Sequence, residues 1–303
     1  MIFLAAALTL ACIISPWLAI GADWFATEWP EILSERVSFD KVFNRAFMIA
    51  GMILFIAYHR TLAPAEIKRL LSPGFCIALR NFFTGWGLAV LSMVLLVIAM
   101  AATNVFRPYI RVSLTTGLSR FAGAFSAGIF AGLLEEVFFR GMLFFGIRKT
   151  GHPTRAYLFA NFFYAAINFV KPGGEYFLDG VNVLAGFRHL IITFEPFLDP
   201  IPLLPGMTGL FLIGVVLSYA LARTGNLWAS IGLHAGWVLS LKLIKVFGNF
   251  WRADLGWAFG AAEPKILSGV ATWLGVLLVG LAVSRLTRRA GPLASDPPHA
   301  TTA

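Results

Sequence analysis

Glu135 and Glu136 stand side by side in an otherwise apolar run, Gly132-Leu-Leu-Glu-Glu-Val-Phe-Phe-Arg140-Gly141. At bilayer depth each charge costs at least ~2.5–3.5 kcal/mol to insert. Two adjacent acids there imply a role that offsets the cost. Glu136 and Arg140 are four residues apart with the acid on the N-terminal side, the favourable orientation for an ion pair along a helix. Glu135 then lies about 100° around the helix with no local partner. A carboxylate so placed can exchange a proton with a reacting group. The plainer alternative is one packing network, with both glutamates and Arg140 joining helices.

His234 supplies a second ionisable group at depth, within the run Leu227–Val238. A lone histidine in a membrane often does no more than make an interhelix hydrogen bond. Its value here comes from the acid cluster, because a Glu and a His on different helices can hold and polarise a water molecule. The other four histidines, His59, His152, His189 and His299, fall outside the apolar runs. Asn161, Tyr164 and Asn168 stand at i, i+3 and i+7, one face of a helix that lipid would reject and that should turn inward. That face either lines the site or only bonds neighbouring helices.

These groups need helices to position them. Of 303 residues 58% are hydrophobic and 13% charged, against about 25% charged in a soluble domain, so the predicted fold is an all-α polytopic membrane bundle. Eight spans are predicted, at 2–21, 43–58, 81–103, 121–147, 154–170, 207–224, 226–248 and 265–284. Each is near the ~20 residues that cross a hydrocarbon core, and the fourth is long enough to tilt or project. Of fifteen Asp and Glu, only Glu135 and Glu136 fall within them. The first span lacks the basic leader and cleavage site of a signal peptide and is expected to be retained. Residues 1–290 form one predicted transmembrane domain, and 291–303 a disordered tail.

The net charge of +9 would raise nucleic acid as a partner for a soluble chain. Here the basic residues flank the spans, so the expected partner is the lipid bilayer and not nucleic acid. The segments 59–80, 148–155 and the tail from Arg285 are basic, and an eight-span chain puts them on one side. The positive-inside rule makes that side cytoplasmic, with both termini. The short connections suit a bacterial inner membrane. The longest connection, 171–206, then faces outward and has room for a helix lying in the interface. Cys12 and Cys76 have no metal-ligand spacing and read as free thiols.

Together the motifs resemble the CPBP family of intramembrane proteases, which includes type II CAAX prenyl endopeptidases and bacterial Abi-type proteins. The family shows EExxxR, FxxxH and HxxxN on separate helices. Glu135, Glu136 and Arg140 make a full EExxxR, followed by Gly141, and His234 stands at the third motif. The resemblance covers about residues 80–250. Two positions depart from it. The second motif reads Tyr164-Ala-Ala-Ile-Asn168, and Val238 stands where the third would have Asn.

The resemblance implies an intramembrane endopeptidase acting on a membrane-embedded or lipid-modified protein. Glu135 would activate water, with Glu136 and Arg140 in support. His234 would stabilise the oxyanion or orient the water, helped by Asn168, which can hydrogen-bond but does not exchange a proton as imidazole does. A catalytic zinc takes three protein ligands. With Asn168 in place of a histidine, metal-free hydrolysis is favoured over zinc, although His189 could fold back to supply an imidazole. Two rivals remain: an inactive relative acting as a scaffold or immunity-type binder, and a transporter using the two glutamates as an ion site. The absence of an internal repeat counts against the transporter.

Overall fold

The computed structural model describes residues 2–29, 37–58, 64–109, 112–169, 177–178, 180, 182–252, 254–260 and 266–287. Its elements run α1 (Ile2–Glu28), α2 (Phe39–Tyr58), α3 (Pro64–Leu71), α4 (Phe75–Ala102), β1 (Phe106–Pro108) and α5 (Leu114–Glu136). A π-helical segment, Val137–Phe144, continues α5 into α6 (Phe145–Arg148). Then come α7 (Pro153–Ile167), α8 (Ala185–Ile192), α9 (Pro200–Thr224), α10 (Trp228–Val246), β2 (Gly248–Phe250), α11 (Gly256–Phe259) and α12 (Val270–Leu286).

The fold is an all-α membrane helix bundle, and its described strands are one short pair. Each of the eight apolar segments marked in the sequence falls mostly on a helix, several with ends that run past it. Among the described residues, four stretches are long and apolar enough to cross a membrane: Ala5–Glu28, Phe75–Ala102, Thr115–Arg148 and Leu203–Thr224. Trp228–Ile244 and Val270–Leu286 are shorter apolar helices. The 34 residues of Thr115–Arg148 would span ~50 Å as helix, well beyond the ~30 Å hydrocarbon core, so this element tilts or projects. The tail 291–303 lies outside the described residues.

The chain forms two compact units. The first comprises 1–64 and 167–203. In it α1 packs on α2 and α8 over small residues, including Ala11, Cys12, Ala46, Ala50 and Ala185. Helix α1 runs through Pro16 and seven residues beyond the predicted end at 21. The interior proline costs one backbone hydrogen bond but leaves the apolar packing intact. Helix α8 occupies the long connection and buries Ala185, Gly186 and His189 while Ile191 stays exposed. His189 packs against the rings of Phe39 and Phe43, at 5.3 and 4.4 Å between centroids.

The second unit comprises 65–166 and 204–303. Helix α10 is its axis and packs chiefly on α4 and α5. Nearly every residue from Ala229 to Leu239 is buried, as expected for a helix that is apolar all round. Small residues let the backbones approach. A Cβ on Gly232 would lie 2.1 Å from the Phe82 carbonyl oxygen, and one on Gly85 2.3 Å from that of Ala229. Gly232→Ala is therefore expected to cost ~1–3 kcal/mol by overpacking. It should lower the thermal midpoint of the detergent-solubilised protein, while Gly87→Ala, which meets nothing within 4 Å, should not.

Both ends of this helix stack are tied. At one end β1 and β2 pair antiparallel, Phe106 opposite Phe250 and Pro108 opposite Gly248, joining the segments that follow α4 and α10. At the other end Leu227 N–H donates to Leu70 O at 3.1 Å. Trp228 Nε1 donates to Leu71 O at 2.8 Å, and Asn81 Nδ2 to Asn226 Oδ1 at 3.3 Å. There Lys149 pairs with Glu66, and Arg223 donates to Ser284 O at 2.6 Å. This second end carries Lys68, Arg69, Arg148, Lys149, Arg155 and Arg223.

Candidate active site

Helices α5 and α10 pack directly against each other, which brings the acid pair to the histidine. Gly132, one turn before the acids, clears the way: a Cβ there would sit 3.2 Å from Ile231 O and 3.6 Å from the His234 Cβ. The helix widens into its π segment immediately after Glu136. Such segments are rare and recur at functional sites.

Glu136 is the hub. Its Oε1 accepts from Arg140 Nη1 at 3.0 Å and lies 2.8 Å from His234 Nδ1. The side chains of Glu136 and Arg140 are both fully buried. Since an ionised carboxylate only accepts, the His234 Nδ1 carries the hydrogen. That leaves Nε2 to face Glu135, whose Oε2 is 3.7 Å away. This is too long for a direct hydrogen bond, but both atoms can contact one water from the side. The Glu135 side chain is 39% exposed, against 7% for His234 and none for Glu136. The two adjacent glutamates thus occupy opposite environments. One is sealed into an ion pair, and the other is only partly covered by the protein.

Arg140 has further partners. Its guanidinium lies 4.3 Å over the Tyr164 ring and 5.8 Å from that of Phe139. Its Nη2 also reaches Gly214 O at 3.5 Å, on α9. Tyr164 is edge-on to His234, with centroids 6.4 Å apart. Beside it, Asn161 Nδ2 donates to Tyr157 O at 2.8 Å while its Oδ1 accepts from Ser218 Oγ at 2.9 Å. The predicted polar face of the fifth span is therefore buried at Asn161 and Tyr164.

Asn168 does not share that burial. Helix α7 ends at Ile167, and Asn168 lies in the turn beyond it, exposed and within the first unit. Val238 is half-buried one turn below His234. The Gly214 carbonyl gave no signal in the sequence, because every residue has one. Ser218 was visible only as a hydroxyl in a long apolar helix.

Among the described residues, no group of three His, Cys, Asp or Glu is arranged to hold a metal ion. Glu136 Oε1 is already shared between Arg140 and His234. The donors present do not fit the three-ligand set of a catalytic zinc, and no step below passes through a metal.

Residues 117–240 match the family model of the Rce1-like type II CAAX prenyl endopeptidases. The match covers less than half of the chain but includes Glu135, Glu136, Arg140, Tyr164, Asn168 and His234, in keeping with the CPBP resemblance. No curated protein matches the chain, and neither does any solved structure.

Proposed function

We propose, on the premise that residues 117–240 are a segment of the Rce1-like type II CAAX prenyl endopeptidase family, that this integral membrane protein hydrolyses a peptide bond with water activated by Glu135. The observation that carries the reading is the division of labour around His234. Glu136 and Arg140 fix one ring nitrogen, and the other faces the partly exposed Glu135 at 3.7 Å.

The chemistry follows from that geometry. A water contacts Glu135 Oε2 and His234 Nε2. Glu135 takes a proton as the water oxygen attacks the carbonyl carbon, and the C=O electron pair moves onto oxygen. Neutral His234 accepts from the water and orients it. Glu135 then returns its proton to the leaving amine as the C–N bond breaks. The substrate is a membrane-embedded or lipid-modified protein segment, and no metal takes part. The positive-inside bias of the end bearing Arg148, Lys149 and Arg155 supports an orientation with both termini cytoplasmic, in a bacterial inner membrane.

The second reading is an inactive relative that binds membrane proteins through the same scaffold. It is favoured by Asn168, which is exposed past the end of α7, and by apolar Val238. The test uses fluorogenic membrane-anchored peptides with the full chain in liposomes. His234→Ala should lower the cleavage rate by about 10²-fold or more, and chelators should leave the wild-type rate unchanged. Cleavage that appears only after Asn168→His would identify the inactive relative. Silence in both forms would sink the hydrolytic reading.

A further inference from the structure

Helices α7 and α9 diverge on one side of the second unit and leave an open cleft of about 820 Å³. That volume lies within the ~300–1,000 Å³ of small-ligand sites. The α7 wall is a single helical face, Leu158, Phe159 and Phe162, each about half exposed. On the α9 wall Leu204 is 57% exposed and Phe211 stands two turns on. Two polar side chains line the cleft, Thr208 and Arg155. Thr208 Oγ1 is spent on Leu204 O at 2.9 Å. Arg155 is exposed, and among the described residues no carboxylate pairs with it.

The position of the charge identifies the occupant. Arg155 is the third residue of α7, at the end of the unit where Arg148 and Lys149 also lie. From Arg155 the cleft extends ten residues along α7 to Ala165, or ~15 Å. Its α9 wall, from Phe211 to Leu204, lies 12–19 residues before Arg223, or ~18–28 Å from that end, so the slot descends from the basic end deep into the ~30 Å hydrocarbon core. A cation at the surface end of an apolar slot that descends into the hydrocarbon core fits a diacyl lipid with an anionic headgroup.

We propose that the α7–α9 cleft is a binding site for an anionic phospholipid of the bilayer, with an acyl chain along Leu158, Phe159 and Phe162 and the phosphate on Arg155. The site is separate from the Glu135–His234 cluster and does not depend on the hydrolytic reading. A second copy of the chain seated by its own apolar face would leave Arg155 without a counter-charge. An uncharged lipid would make no use of it.

The test is native mass spectrometry of the full chain in detergent, titrated with phosphatidylglycerol and with phosphatidylcholine of the same acyl chains. Wild type should bind phosphatidylglycerol more tightly. Arg155→Ala should weaken that binding roughly fivefold, the worth of one cation at an anionic surface, and leave phosphatidylcholine unchanged. Arg155→Lys should retain the preference, and Leu158→Trp, which fills the mouth of the cleft, should weaken both lipids. An unchanged thermal midpoint would show that each variant is folded. Equal affinity for the two lipids, an unchanged Arg155→Ala, or a dimer broken by Leu158→Trp would overturn the proposal.

Discussion

Glu135→Gln should reduce peptide-bond hydrolysis by about 10²–10⁴-fold, the usual contribution of a positioned general base. The change is close to isosteric and falls on a side chain that is 39% exposed. Folding and substrate binding should therefore persist, with the loss confined to kcat. Turnover of a membrane-anchored peptide, measured beside the thermal midpoint, checks both parts. A Glu135→Gln variant retaining more than a tenth of wild-type turnover would exclude Glu135 as the base. The neighbouring Glu136→Gln should behave differently. Its carboxylate has no exposure and serves as the counter-ion of Arg140, so its loss appears in folding as well as rate.

Arg140→Met is expected to destabilise the second unit by ~3–5 kcal/mol, because removing one member of a buried ion pair strands the other charge. Arg140 has no exposure, and Glu136 has none to rehydrate it. The double change Glu136→Gln with Arg140→Met removes both charges and should recover much of that stability without recovering activity, since His234 loses its anionic anchor. Denaturant midpoints of the single and double variants in detergent would decide it. Equal losses in the two would mean that Arg140 acts through its contacts with Tyr164 and Phe139 and not through charge.

The sequence disclosed these groups because charge is costly in a membrane. Glu135, Glu136 and Arg140 stood out against an apolar background, and their spacing named the ion pair before any geometry was known. What it left open was which glutamate bonds His234. Adjacent residues on a helix point ~100° apart, and only the position of α10 decides which of them meets His234. The end of α7 was also out of reach. An apolar run continues to Val170, so the polar stripe could be extended to Asn168, yet the helix stops at Ile167. Helix α3 read as a basic connection because Pro64–Leu71 holds only eight residues, with Pro64 at the first turn where proline is tolerated. The β1–β2 pair escaped notice for a related reason, since three-residue strands have no measurable alternation.

The π segment Val137–Phe144 has a consequence for how this helix is built. Its wider turns take up residues without the rotation that an α-helix would impose, so the stretch before Glu136 and the stretch after Phe144 are out of phase. The upstream stretch is aimed by its fit against α10. The downstream stretch turns Phe144 onto Tyr157, at 4.9 Å between ring centroids, and carries Lys149 to Glu66. One continuous rod thus obeys two angular settings, and the chemistry at one end is indifferent to which side chains the other end must bury.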